Sequence, residues 1–206
     1  TLYLDFDGNG SLNGNDYQFT ITGATAFHDD DIDLYITAGG NGEVITAGDG
    51  DDSLTGGAGA DKLVGDGGAD TIKGVGNTAD TLVGGAGSDN ITGLGGADKI
   101  YGDLLANDDT VGGGNDIIST GAGGDSVRAG AGNDSVTAGA GVDTIHGENG
   151  NDTLISAAGA DSVYGGAGND TITDAAGASS LEGGAGNDNI TAGADNDTVK
   201  GGDGND

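Results

Sequence analysis

The sequence predicts an all-β chain stacked from short strands, each turning one residue inward. Three observations carry this expectation. First, a nine-residue pattern recurs from Ala47 onward, clearest in Gly165-Gly166-Ala167-Gly168-Asn169-Asp170-Thr171-Ile172-Thr173 and Gly183-Gly184-Ala185-Gly186-Asn187-Asp188-Asn189-Ile190-Thr191. A fixed short period dictates a repeat architecture. Second, the eighth position is aliphatic: Leu54, Leu63, Ile72, Leu82, Ile91 and Ile100, then Ile118, Val127, Val136, Ile145, Leu154, Val163, Ile172, Leu181, Ile190 and Val199. Mostly polar neighbours on both sides suit a three-residue strand with its centre inward. Third, Gly 48 with Pro 0 excludes collagen, and the strict period argues against the disorder such a composition otherwise signals.

Residues 1–46 differ and form the expected N-terminal β cap. Six of the eight aromatics lie here, and Leu2/Leu4/Phe6, Tyr17/Phe19/Ile21 and Ile32/Leu34/Ile36 alternate as half-buried strands do. Stacked repeats need atypical ends to cover an open core. A fragment of a preceding domain is the alternative. Between the first two strands, Asp5-Phe6-Asp7-Gly8-Asn9-Gly10-Ser11-Leu12-Asn13-Gly14-Asn15-Asp16 places oxygen side chains, Asp5, Asp7 and Asn9 among them, as an EF-type calcium loop does. The last position is Asp instead of Glu and the flanks read as strand, so a hairpin turn stands beside that reading. Ala38 to Thr46 is a first imperfect repeat, with Glu43 in the Asp position.

Residues 47–206 are the repeat array, with two irregularities. Gly74 to Asp80 carries one extra loop residue. Around Gly102 to Ser119, strict counting would turn Asp109 into the core, a prohibitive place for an unpaired charge. Taking Asp109-Thr110-Val111 as a rung restores an aliphatic inward position.

Charge narrows the function. Lys and Arg number 5 against 35 Asp and Glu, a formal charge of −30, and just three acids are Glu: Glu43, Glu148 and Glu182. Such a chain repels nucleic acid and anionic membranes and suits divalent cations. Without Cys there are no disulfides or thiolate metal sites. His28 and His146 are isolated, which argues against zinc. No apolar run reaches membrane-span length, and no signal peptide opens the chain. It begins without Met and stops inside a repeat at Gly204-Asn205-Asp206, so it reads as a piece of a longer protein.

A Gly-x-Gly-x-Asp loop combines backbone carbonyls, turned to one side by glycine, with a short carboxylate. Calcium takes six to eight such oxygens in forgiving geometry, whereas magnesium demands a tighter octahedron. The pattern resembles the RTX family of calcium-binding nonapeptide repeats over roughly residues 47–206. The resemblance implies a right-handed parallel β-roll with two repeats per turn and several Ca2+ ions between stacked loops. The ligands it implies are Asp52, Asp61, Asp70, Asp80, Asp89, Asp98, Asp109, Asp116, Asp125, Asp134, Asp143, Asp152, Asp161, Asp170, Asp188, Asp197 and Asp206. Ser179 breaks the series.

If alternate repeats stack, one edge carries Asp61, Asp80, Asp98, Asp116, Asp134, Asp152, Asp170, Asp188 and Asp206. The other carries Asp52, Asp70, Asp89, Asp109, Asp125, Asp143, Asp161, Ser179 and Asp197. The second edge has lost leading glycines at Ser156-Ala157-Ala158-Gly159 and Asp174-Ala175-Ala176-Gly177. Calcium is therefore expected to fill the first edge more completely, with the weakest site near Ser179. One inward aliphatic per repeat is also a thin core, so metal binding should supply folding energy.

The expected function is a calcium-binding structural module of a larger bacterial secreted or cell-surface protein, of adhesin or surface-layer type. The resemblance implies folding outside the cell after type I secretion. The alternative is the RTX region of a secreted protease, lipase, epimerase or toxin with its catalytic part elsewhere. The segment has no His-Glu-x-x-His and no Gly-x-Ser-x-Gly, so no catalytic residue is assigned. Beyond calcium ions, partner classes compatible with such an array are a second copy, by lateral self-assembly, and a surface glycan. Threonines at position seven also allow a surface-binding face, though Thr is an ordinary strand residue.

Overall fold

The computed structural model describes residues 2–4, 17–19, 35–37, 42–103 and 113–206. Among them the secondary structure is entirely β. Strands Leu2–Leu4 and Tyr17–Phe19 pair antiparallel, and their pairing stays separate from the two large sheets. The proposed EF-type residues Asp5, Asp7 and Asn9 lie outside the described residues.

Two nine-stranded parallel sheets make up the array among the described residues. One contains Tyr35–Thr37, Ser53–Thr55, Thr71–Lys73, Asn90–Gly95, Ile117–Ala122, Ser135–Thr137, Thr153–Ala158, Thr171–Ala176 and Asn189–Thr191. The other contains Val44–Asp49, Lys62–Gly67, Thr81–Ala86, Lys99–Tyr101, Ser126–Ala131, Thr144–Asn149, Ser162–Ala167, Ser180–Ala185 and Thr198–Asp203. Consecutive strands alternate between sheets, so two repeats complete one turn of a parallel β-solenoid. The parallel stacks begin at Tyr35–Thr37, ahead of the regular sequence repeat.

The pleat explains why one aliphatic per repeat suffices to position a strand. With side chains alternating in direction, a three-residue strand presents its centre to one face and its flanks to the other. Leu54, Ile72, Ile91, Ile118, Val136, Leu154 and Ile172 therefore form one column, each paired with the residue one turn on. Ile45, Leu63, Leu82, Ile100, Val127, Ile145, Val163 and Leu181 form the other. The columns share one buried core. At the last turn Ile190 is only partly buried and Val199 is half exposed.

Loop position four favours glycine for two reasons, with Asp195 at φ 98° in the last loop of its edge as a departure. Gly168 has φ 135°, in the left-handed region, and a methyl group there would overlap the Gly150 carbonyl one turn back. Gly186 repeats both features against Gly168. Position two also adopts positive φ and is less strict: Asp66, Leu94 and Glu148 occupy it at φ 84°, 79° and 77°.

The extra loop residue near Gly74 is absorbed as expected: Asp61 meets Asp80, and Asp70 meets Asp89, each 19 residues on. The second irregularity resolves differently. Ile91 pairs directly with Ile118, and Ile100 with Val127. No rung lies between them, so the expected rung Asp109-Thr110-Val111 has no place in either column; Asp109 itself lies outside the described residues. Residues 104–112 fall between Asp103 and Gly113, and their number equals one repeat. An insertion of that length keeps the sequence in phase while leaving the ladder intact.

Candidate metal centres

The loops between strands build two edges. Along each, the backbone N–H of the position-six residue donates to the position-six side chain one turn on, Oδ1 of an Asp except at Ser179, where Oγ accepts. One edge runs Asp52, Asp70, Asp89, Asp116, Asp134, Asp152, Asp170, Asp188 and Asp206. The other runs Glu43, Asp61, Asp80, Asp98, Asp125, Asp143, Asp161, Ser179 and Asp197. This corrects the edges expected from sequence. Asp116 follows Asp89, not Asp98, and Asp125 follows Asp98, since the strands on either side of residues 104–112 pair directly with one another. The three upstream Asp residues of each expected series belong to the opposite edge.

Each side chain divides its work between two oxygens. Oδ1 is used by the backbone: Asp134 N–H to Asp152 is 2.9 Å, and Asp116 N–H to Asp134 is 2.8 Å. Oδ2 of Asp70, Asp89, Asp98, Asp116, Asp125, Asp134, Asp143, Asp152, Asp170 and Asp188 is buried without a hydrogen-bond partner. Asp61 differs, its Oδ2 accepting from Gly57 N–H at 2.8 Å. A buried carboxylate oxygen without a partner is costly, and a periodic row of them calls for a repeating counter-charge. Burial raises the carboxyls of Asp70, Asp89, Asp98, Asp116, Asp134, Asp143, Asp152 and Asp170, offset in part by the backbone donor and reinforced by neighbouring acidic side chains. Asp116 is pushed up to about 8, Asp89 and Asp152 to about 7, and Asp70 and Asp98 to about 6.

The open oxygens face carbonyls. A methyl group on Gly165 would overlap both Asp170 Oδ2 and the Gly183 carbonyl of the next turn. Gly65, Gly84, Gly147 and Gly183 repeat this on the Asp52 edge, as Gly74 and Gly93 do on the Asp61 edge. Position one is thus a cradle of carboxylate and carbonyl oxygen that a side chain would fill. Among the described residues no three His, Cys, Asp or Glu groups gather as a metal site. The protein oxygens beside each open carboxylate there are backbone carbonyls, a donor set that suits calcium and not zinc.

The edges differ in those cradles. Position one on the Asp52 edge is Gly65, Gly84, Gly102, Gly147, Gly165, Gly183 and Gly201, with Ala47 and Ala129 as departures. On the Asp61 edge Gly56, Gly74 and Gly93 give way to Thr120, Ala138, Ser156, Asp174 and Ala192. Thr120, Ala138 and Ser156 are fully buried, and Asp174 nearly so.

A second ladder escaped the sequence reading. Asn115, Asn133, Asn151, Asn169 and Asn187 each accept, through Oδ1, the backbone N–H of the Asn one turn on, at 2.6–3.0 Å. Its direction opposes that of the Asp ladder. The available signal was the Asn-Asp pair returning every second repeat from Asn115-Asp116 to Asn205-Asp206. Away from the edges, His146 stacks on Tyr164 with centroids 4.7 Å apart, and Arg128 pairs with Glu148 at 2.8 Å. Burial first, then the Arg128 charge, lowers the His146 pKa.

A search of curated proteins returned no match. The family model for the RTX calcium-binding nonapeptide repeat matches residues 37–72, 75–108, 110–145, 137–172 and 174–206. Those matches span most of the chain and coincide with the parallel stacks and their rows of open carboxylates. The chain belongs to the RTX calcium-binding nonapeptide repeat family.

Proposed function

We propose that this β-roll is a structural module of a larger bacterial protein, secreted or displayed at the cell surface, whose folding is switched on by extracellular Ca2+. The observation that carries the reading is the row of buried Asp Oδ2 atoms facing position-one carbonyls. Asp70, Asp80, Asp89, Asp98, Asp116, Asp134, Asp152, Asp170 and Asp188 are the proposed principal ligands. Asp52, Asp61, Asp125, Asp143, Asp161, Asp197 and Asp206 continue the same rows. Bound calcium would supply the positive charge that these oxygens lack. The chain's own contribution is to hold carboxylate and carbonyl oxygens together on a stacked backbone.

A core of one aliphatic per repeat, set against a formal charge of −30, makes folding depend on that neutralisation. Micromolar or lower calcium would leave the chain unfolded, and millimolar calcium would fold it. An adhesin or surface-layer protein is the class of parent that a long, repeated calcium-binding array would suit. Far-UV circular dichroism in chelator, followed by calcium titration, tests the switch. The expected result is a cooperative gain of β signal near millimolar calcium; a spectrum indifferent to calcium would refute it.

A further inference from the structure

We propose that Asp174 is a displaced cation ligand, supplying from position one of its loop the carboxylate oxygen that Ser179 cannot supply from position six. The proposal rests on the calcium-binding reading above and deepens it at one turn. Loop Ser156-Ala157-Ala158-Gly159-Ala160-Asp161 has Ser first and Asp sixth. One turn on, Asp174-Ala175-Ala176-Gly177-Ala178-Ser179 has the two exchanged. The carboxylate is moved, not lost.

Ser179 retains the backbone half of the position-six role. Its Oγ accepts the Asp161 N–H at 3.2 Å, where Asp161 Oδ1 accepts the Asp143 N–H at 2.9 Å. A hydroxyl has no second oxygen to leave open. Asp174 provides one. Its side chain is 2% exposed, and Oδ1 accepts from Ser156 Oγ at 2.8 Å and from Ser179 Oγ at 3.2 Å. Its Oδ2 is buried with no hydrogen-bond partner. The same holds for Oδ2 of Asp161, one turn away. Ser156 has a single hydroxyl hydrogen, which goes to Asp174 and leaves none for Asp161.

Two buried carboxylates therefore carry open oxygens on adjacent turns, and their like charges repel. The Gly159 carbonyl lies 3.5 Å from Ser179 Oγ, so the surrounding donors are also oxygen. Carboxylate, carbonyl and hydroxyl oxygens without nitrogen or sulfur select a hard divalent cation, and their irregular placement favours calcium over magnesium. The expected weak point at Ser179 becomes a rebuilt site.

The test is the anomalous calcium signal at long wavelength from crystals of the full chain grown in calcium. Wild type should show a calcium peak between the loops ending at Asp161 and Ser179. Asp174→Ala places at position one the residue already present at Ala138 and Ala192, and should lose this peak while the Asp52 edge keeps its own. The double exchange Asp174→Ser with Ser179→Asp should restore it, which keeps the proposal testable if the single variant fails to fold. Peaks elsewhere with none here in wild type, or a peak that survives Asp174→Ala, would overturn this assignment and leave the general reading standing. No calcium at any loop would overturn both.

Discussion

Replacing Asp152 by Asn separates the two oxygens of a position-six side chain. Asn keeps Oδ1, so it can still accept the Asp134 N–H at 2.9 Å, but it replaces the open Oδ2 with an uncharged amide. Asp152 is 1% exposed, and burial pushes its carboxyl from 3.8 to about 7. At 1.36 kcal/mol per unit, keeping that group ionised in the metal-free fold costs roughly 4 kcal/mol at neutral pH. Asp152→Asn removes this cost and, with it, a calcium ligand. The sign of its effect must therefore reverse with metal. In chelator at pH 7, with an osmolyte to drive compaction, the variant should fold more readily than wild type by up to roughly that amount. In calcium it should fold less readily, with its midpoint displaced to higher concentration. Parallel circular dichroism titrations of both proteins measure each arm. Identical calcium midpoints, or a wild type that folds more readily in chelator, would refute the division of labour between Oδ1 and Oδ2.

Backbone and protonation give two further expectations. Gly168→Ala puts a Cβ at φ 135° against the Gly150 carbonyl and should cost at least ~1–3 kcal/mol in calcium. Gly48→Ala is the control, since nothing lies within 4 Å of its added Cβ, and thermal midpoints that shift equally would argue against the packing at position four. The raised values of Asp89, Asp116 and Asp152, about 7 to 8, mean that the metal-free fold binds more protons than the unfolded chain. Its stability is accordingly greatest below about pH 4 and declines as pH rises through about 7 to 8. Calcium binding should then release protons at pH 6–7, read by calorimetry in buffers of different ionisation enthalpy; binding heats independent of buffer would contradict the raised values.

Much of the fold was legible because its signal is redundant. Leu63, Leu82, Ile100 and their successors each report one inward position, and every copy constrains the same register. The extra residue near Gly74 was equally visible, since a loop one residue longer shifts the phase by one. Residues 104–112 were not, because nine added residues leave a nine-residue period in phase. Counting alone cannot tell a rung from a detour of equal length; pairing of Ile91 with Ile118 can. The row of position-six carboxylates was legible from the period, but the unequal use of their two oxygens was not, since that depends on a backbone N–H one turn away. The exchange between Ser156/Asp161 and Asp174/Ser179 was present in the letters. It reads as decay until the side chains are seen side by side.

The opposed Asp and Asn ladders give the array a mechanical asymmetry. On the Asp52 edge downstream of Asn115, every turn is tied to its predecessor through one side chain and to its successor through the next. On the Asp61 edge the matching fifth positions are Gly124, Val142, Ala160, Ala178 and Asn196, so no two successive turns there carry an amide at position five. Isolated contacts such as Gly139 N–H to Thr120 Oγ1 and Ser156 Oγ to Asp174 Oδ1 stand in place of a continuous return ladder. Shear between turns thus meets two continuous sets of fasteners at one margin, and one continuous set with isolated side-chain ties at the other. Pulled across its turns, a stack stitched in this way should open from its Asp61 side first.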